Sequence, residues 1–405
     1  MIKKHFLIVC LILILHDFLM AQNISVDGIV YHLSSSDRAI IKGIDESFEC
    51  NNGVLKLPSV IKKEGVKYKV KGIGELAFYN NKDIRYLVIP RSVDTIASGA
   101  FWQCHNLESV NMPNRPTPVF VDYLAFDDTK WYHDQPDGMT YIGKIAYKYK
   151  GKCPQKVVIA KGTKAISKGA FYTPTIHFGD YHLKEQIADQ LQDVVIPKGV
   201  KYVSGFKWSS LKTVCLPKSV VEIGDNAFTS CHNLTNIEIP DRVKRLGNSC
   251  FEGCSQITEM LLPLGLEEIG ERSFLGCIGI KELTIPDKIE ILPEGMIECL
   301  SYAMLDASNR ESSLKTLTLG TNVKKICKWA LQGHHLESII CYAKVPPVIE
   351  HNEQNNNSDW LRTIKPDTIN VTLYVPSGSL DLYRSDNGWN VIYNMVELTP
   401  GLKLK

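Results

Sequence analysis

The chain has 405 residues, with 46 basic and 44 acidic side chains, a formal net charge of +2 and a hydrophobic fraction of 44%. That balance excludes disorder along most of the chain and shows no excess of basic residues for nucleic acid or an anionic membrane. The length fits two or three ordinary domains, or one elongated repeat array.

At the N-terminus, Lys3 and Lys4 precede an apolar run from Phe6 to Leu15, and the small Ala21 stands before Gln22. This order predicts a secretory signal over residues 1–21, with an uncleaved anchor as the alternative. The run is too short to span a bilayer comfortably, and no later segment is apolar for long enough to cross one. The expected destination is outside the cytoplasm: secreted, at the cell surface, or periplasmic. Cys10 follows Val9 and not a small residue, which argues against lipid attachment. Of the 12 cysteines, loss of Cys10 leaves 11, an odd number that forbids complete pairing in an oxidising compartment.

Residues 22–72 read as an N-terminal cap, and 73–343 as a repeat array. A first copy reads TIASGAFWQCHNLESVNMP (95–113). Residues 114–158 then double the usual interval; Pro136-Asp137-Gly138 signals a turn, and Tyr141, Ile145, Tyr147 and Tyr149 suggest a hairpin laid against the array. Residues 172–190 lengthen a second unit. Three consecutive copies follow: EIGDNAFTSCHNLTNIEIP (222–240), RLGNSCFEGCSQITEMLLP (245–263) and EIGERSFLGCIGIKELTIP (268–286). Pro217, Pro240, Pro263 and Pro286 are 23 residues apart, as are Phe228, Phe251 and Phe274. Residues 300–313 lengthen a third unit, and 351–370 form a polar, Asn-rich excursion. Residues 344–405 read as a C-terminal cap with Tyr383, Trp389 and Ile392 in its core.

A fixed period of this length means stacked supersecondary units. An aliphatic residue stands five positions before a large apolar one at Ile73/Phe78, Ile96/Phe101, Ile166/Phe171, Ile223/Phe228, Leu246/Phe251, Ile269/Phe274, Ile291/Met296 and Ile326/Leu331, and the residue before the large one is always small. Within a unit, Leu234, Ile237 and Ile239 face inward as a strand with one buried face, and Pro240 ends it. Val243 and Leu246 turn the chain back. Cys250 and Phe251 fill the far side in a short helical turn, and Cys254 and Ile257 close the circuit. About twelve strand-like cores occur, from Leu57 through Ile239 to Val375. One unit cannot bury enough surface to fold alone, so neighbours must cover both of its open faces. The expected fold is a solenoid with a parallel β-sheet on one face, short helical turns on the other, and capped ends.

These residues carry a resemblance. The unit resembles the BspA-like leucine-rich repeat, whose pattern is close to Leu-x-x-Ile-x-Ile-Pro-x-x-Val-x-x-Ile-Gly-x-x-Ala-Phe-x-x-Cys. Segments 95–113, 222–240 and 268–286 follow it closely; 202–217, which is short, and 291–320 depart from it. VDGIVYHL (26–33), the W-x-x-x-x-P-D-G-x-x-Y-I-G stretch from Trp131, Y-K-Y-K-G from Tyr147, and LYVPSGS (373–379) with Trp389 are similar to the same family. The resemblance covers nearly the whole chain after the signal and implies a leucine-rich-repeat solenoid. It implies exported or surface proteins of anaerobic bacteria, some tied to adhesion to host matrix proteins. It implies no catalytic residues and no cofactor.

Other motifs have structural explanations. GIGELA (72–77) fits a dinucleotide-binding pattern, but its Ile-Gly shares the phase of Ile223-Gly224 and Ile269-Gly270. Cys104, Cys231, Cys254, Cys277 and Cys299 stand three positions after the large apolar residue, a phase that points into the core. Packing is the favoured reading, with occasional disulfides or a metal site as alternatives. Ser59-Val-Ile-Lys62, Ser204-Gly-Phe-Lys207 and Ser385-Asp386-Asn387 echo penicillin-binding enzymes without the Lys-Thr-Gly element. At least one of His334 and His335 should point to solvent. Outward strand positions form two candidate binding rows: Val88, Asn111, Glu238, Leu261, Thr284 and Thr318, and Tyr86, Ser109, Asn236, Glu259, Glu282 and Thr316. Either they bind a protein or glycan, such as host extracellular matrix, or they are an ordinary solvated face of a structural cell-envelope scaffold. The reading is a binding protein and not an enzyme, with no metal, cofactor or nucleic-acid partner.

Overall fold

The computed structural model describes residues 23–34, 36–113, 115, 117, 119–172, 177–178, 181–182, 189–299, 312–331, 333–334, 336–350 and 371–399. The signal segment, the excursion at 351–370, His335 and most of the lengthened stretches at 172–190 and 300–313 lie outside the described residues. The chain divides into two compact units, residues 1–152 with 173–185, and residues 153–172 with 186–405. In both, strands dominate and helices are few and short; pairing is mixed in the first unit and parallel in the second.

The first unit begins in antiparallel pairing. Asn23–Val26 pairs with Ile29–Ser34, which pairs with Arg38–Ile44. Parallel pairing then takes over, from Arg38–Ile44 to Val66–Ile73, to Thr95–Ile96 and to Phe120–Val121. A separate parallel ladder joins Val54–Lys56, Tyr86–Val88 and Ser109–Asn111. Each coil of the unit thus contributes one strand to each of two ladders.

The second unit repeats this plan. One ladder pairs Lys156–Val158 with Asp193–Val195, Thr213–Val214 with Asn236–Ile237, and Met260 with Leu283. It broadens into five parallel strands, Glu282–Ile285, Thr316–Leu319, Ser338–Cys341, Thr372–Pro376 and Asn394–Leu398. The alternation of Glu282 and Thr284 outward with Leu283 and Ile285 buried is the strand period that the sequence displays. The other ladder stacks Ala165–Ile166, Tyr202–Val203, Glu222–Ile223, Arg245–Leu246 and Glu268–Ile269 in parallel. A further ladder of the same kind joins Ile291–Leu292, Lys325–Ile326 and Val348–Ile349. This second set of strands was not anticipated: two-residue strands are too short to show a period.

The far side of each coil differs from the expected helical turn. In the coil of Phe228, Asn226 and Ser230 adopt left-handed φ values of 54° and 57°. Ser249 and Gly253 flank Phe251 in the same way, at 53° and 74°, and Arg272 and Gly276 flank Phe274, at 55° and 71°. The reversals turn amides along the stack. Asn226, Phe228 and Ser230 donate to the carbonyls of Asn248, Cys250 and Glu252 in the next coil, at 2.8, 2.8 and 2.6 Å. A helix would have satisfied these amides within one coil and left nothing to bond the next. The small residue before each Phe offers its carbonyl to the neighbouring coil's Phe amide, as Cys250 and Ser273 do.

Inside the turns the phenylalanines stack. Phe171, Phe206, Phe228, Phe251 and Phe274 follow one another with centroids 5.1, 5.4, 5.5 and 5.9 Å apart, the last three pairs within 6° of parallel. In the first unit Phe78, Phe101 and Phe126 do the same, at 5.0 and 5.2 Å. The separations exceed the ~4.8 Å spacing of neighbouring strands, so the rings are offset, as aromatic quadrupoles prefer. Two members of these columns, Phe126 and Phe206, break the five-residue spacing or lie where a hairpin was expected. Val121, Ala125 and Phe126 carry the full pattern inside 114–158, so the antiparallel hairpin expected there is confined to Gly138–Ile142 and Ile145–Lys150. Val203 and Phe206 are only three residues apart.

At the C-terminal end, Tyr383 on the short helix Leu380–Ser385 donates to Ala343 O at 2.7 Å, and Trp389 Nε1 donates to Pro347 O at 2.9 Å. Both rings and Ile392 are buried. Phe251, fully buried between two stacked rings, is the strictest test of the column. Phe251→Ala is expected to cost about 3–5 kcal/mol in a urea titration, and a loss under about 1 kcal/mol means the column does not carry the stack.

Candidate binding surfaces

The predicted outward residues fall on the two units separately. Tyr86, Val88, Ser109 and Asn111 lie in the first, where Tyr86 pairs with Ser109 and Val88 with Asn111 in register. Tyr86 and Arg85 both engage Glu108, at 3.2 and 2.9 Å, so that corner is already committed to its own neighbours. Asn236, Glu238, Glu259, Leu261, Glu282, Thr284, Thr316 and Thr318 lie in the second unit, and none is buried. Leu261 is 82% exposed and Leu264 beside it 84%, an uncovered apolar pair. Glu282 with Thr316 and Thr284 with Thr318 are register partners.

The outer side of the second ladder is built differently. Arg245 bonds Glu222 on one side at 2.7 Å, Glu268 on the other at 3.1 Å, and Asp225 at 3.2 Å. Burial raises the Glu222 carboxyl above its ordinary range despite this cation, whereas Lys168, the Asn248 amide and Arg245 overcome burial at Asp225 and lower it. Asp225 Oδ1 accepts from Asn248 N at 3.0 Å, and Asn248 Oδ1 from Glu271 N at 2.9 Å. This side-chain ladder explains the Ile-Gly element. A Cβ on Gly247 would stand 2.3 Å from Asp225 N, and one on Gly270 2.5 Å from Asn248 N. Gly74 of the GIGELA stretch is held likewise, with Ile41 O 2.5 Å from its missing Cβ.

The cysteine ladder has its own chemistry. Cys104, Cys231, Cys254 and Cys277 donate Sγ–H to the carbonyls of Phe78, Phe206, Phe228 and Phe251 in the preceding coil, at 3.0, 3.1, 3.1 and 3.1 Å. A small apolar residue with one weak donor is what this carbonyl needs. The described cysteines are all free thiols, and Cys215 is exposed. Among the described residues, no group of three His, Cys, Asp or Glu side chains is placed to hold a metal. His334 turns inward, its ring bonded to Ser312 Oγ at 2.6 Å. Ser204 donates to Asp225 O at 3.2 Å while Lys207 lies over the Tyr172 and Trp208 rings, so the Ser-x-x-Lys pair is not assembled for catalysis.

The hairpin of the first unit is pinned by a buried polar cluster. Tyr147 OH accepts from Phe126 N at 2.8 Å and donates to Asp127 Oδ1 at 2.6 Å, and Lys148 Nζ pairs with the other Asp127 oxygen. Burial, then Asp127, pushes the Tyr147 hydroxyl well above its ordinary value.

Short coils with two parallel ladders, a stacked aromatic column and glycine-dependent turns define a leucine-rich-repeat protein. A family model for the BspA type leucine rich repeat region matches six copies over residues 71–189 and 177–301, more than half of the chain, and the chain belongs to that family. It is similar to a leucine-rich repeat protein from Bacteroides ovatus, at 20% identity, covering 93% of this chain and 100% of that one with a TM-score of 0.37. It is also similar to a leucine rich cell surface protein from Faecalibacterium prausnitzii (18% identity, 85% and 97% covered, TM-score 0.29) and a leucine-rich repeat protein from Eubacterium ventriosum (16%, 78% and 85%, 0.35). No curated protein sequence matches the chain.

Two outcomes follow. Asp127→Asn leaves the Lys148 ammonium, 7% exposed, without its anionic partner; it is expected to lower stability by about 3–5 kcal/mol in thermal or urea unfolding, and an unchanged midpoint means that water already solvates the pair. Burial pushes the Cys104 and Cys231 thiols from 9.0 up to about 12. The folded chain therefore holds these protons more tightly than the unfolded one, so their contribution is complete below pH 9 and falls as pH rises toward 12. Under native conditions near neutral pH a thiol reagent should label Cys215 first and reach Cys254 only on unfolding. Equal labelling of the two, read by peptide mass spectrometry, contradicts the packing role.

Proposed function

We propose that this chain is an exported solenoid protein that binds a protein or glycan, including components of a host extracellular matrix, on the outward face of a parallel sheet. The observation that carries the reading is the five-stranded sheet of the second unit. Glu282, Thr316, Ser338, Thr372 and Asn394 stand side by side in register, and Thr284, Thr318, Ile340, Tyr374 and Val396 form the adjacent row, in which Ile340 is buried and the other four are not. Thr316 and Ser338 hydroxyls lie 3.1 Å apart, and Asn394 Nδ2 donates to Thr372 Oγ1 at 2.7 Å. These short contacts hold the side chains flat, and a flat face of hydroxyl, β-branched and aromatic groups loses little side-chain freedom on binding. Stacked repeats use such extended faces for recognition. Membership of a family of bacterial surface proteins supports export, as does the basic-apolar-small order of residues 1–21. Among the described residues no helix is long and apolar enough to cross a membrane.

The test is binding of the full chain to immobilised matrix proteins and to a glycan array, with Thr318→Arg and Tyr374→Ala in parallel. Affinity for whichever ligand is retained should fall by roughly tenfold or more, the ordinary effect of damaging the centre of an interface. If both variants bind as the parent does, the five-stranded face is not the site, and a structural role in the cell envelope becomes the better account.

A further inference from the structure

We infer that a basic corner of the second unit, separate from the five-stranded face, binds an extended sulfated polysaccharide. The corner lies between the two ladders, just after the residue that ends each strand of the first. Lys161 and Lys164, Lys198 and Lys201, Lys218, and Arg242 occupy it in four successive coils. The main chain fixes their stacking. Lys201 N donates to Lys164 O, Val221 N to Lys201 O, and Lys244 N to Val221 O, each at 2.8 Å. Gly199 N donates to Ser219 Oγ at 2.9 Å, joining the Lys198 and Lys218 turns. An open cleft here is walled by Lys198, Lys218 and Arg242 above Gly199, Leu216 and Pro217. Gly199, with φ of +98°, also makes room for a fourth cation: a Cβ there would stand 3.1 Å from the Lys164 ammonium.

From Lys244, in the same coil as Arg242, onward, the corner cations are treated differently. Lys244 and Lys288 share Glu267 at 3.0 Å each, and Lys324 pairs with Glu290 at 2.8 Å. Lys161, Lys164, Lys198, Lys201, Lys218 and Arg242 form no ion pair among the described residues. In a chain whose formal net charge is +2, this is a local concentration of positive charge that whole-chain balance conceals.

The chemistry of the corner selects the partner. Five of its cations are lysines, point charges that suit a tetrahedral sulfate approached from several directions; a planar carboxylate is better held by the arginine fork. Each of the four coils supplies one or two of them, with Asp241 beside Arg242 in the fourth, and the coils repeat about every 4.8 Å along the stack, close to the length that one pyranose ring adds to a chain. Among the described residues no aromatic side chain lines the cleft, which gives no base-stacking platform of the kind that single-stranded nucleic-acid sites use.

The experiment measures binding of the full chain to immobilised heparin, desulfated heparin and single-stranded DNA over a salt series. The triple variant K198A/K218A/R242A is compared with K244A/K288A/K324A, which removes the same number of cations from paired positions. Heparin should bind the parent more tightly than the other two polymers. The cleft variant should lose roughly tenfold or more in affinity with a shallower salt dependence, while the control triple stays within about twofold of the parent. Two results overturn the inference: equal losses in the two triples, or DNA or desulfated heparin binding as tightly as heparin. Circular dichroism of each variant confirms that the exposed substitutions leave the fold intact. Thr318→Arg should leave heparin binding unchanged, which keeps this outcome distinct from that of the five-stranded face.

Discussion

Everything in either unit depends on main-chain hydrogen bonding from each coil to the next on three sides. Two sides use strands, as any parallel stack does. The third uses turns in which left-handed residues flank the buried Phe, and it is the unusual part, because it converts a reversal of direction into a ladder. The Phe column is a consequence: once Phe228, Phe251 and Phe274 have amides bonded to the neighbouring coil, their rings have nowhere to go except onto one another. The same constraint fixes the small residue before each Phe and the glycines that follow Ile223, Leu246 and Ile269 in the second ladder.

Residues that point into a coil serve the stack, and residues that point out are released from it. Polar outward side chains pair with their counterparts in adjacent coils, as Glu222, Arg245 and Glu268 do. Faces where ionic pairing of this kind is sparse are where recognition can be added without cost to the stack, and the five-stranded sheet and the basic corner are two such places. They differ in kind: one is flat and nearly neutral, the other charged and grooved.

Much of the fold was legible because a repeat displays its interior many times. Ile223, Phe228, Cys231, Leu234 and Ile237 recur at one spacing, and all are buried. The second ladder was hidden because a pair such as Arg245–Leu246 has one inward residue and no alternation to detect. The coil of Phe126 was masked by the aromatic hairpin that follows it, and the coil of Phe206 by a shortened turn. The far-side turns were misread as helical because a small residue followed by a large one suits either geometry, and only the flanking φ values separate them. The outward rows could be read from strand alternation, but not the interruption between short ladder fragments. The basic corner was illegible for a different reason: Lys164, Lys198, Lys218 and Arg242 are far apart in the chain, and only coils of unequal length bring them together.

The thiol ladder bears on how the stack closes. Cys104, Cys231, Cys254 and Cys277 are open to solvent while the chain is unfolded, and each is withdrawn once its coil settles against the previous carbonyl. Each stacked coil therefore shields one more thiol from solvent. A thiol that stays reactive in the folded chain then marks a coil that has not closed against its neighbour.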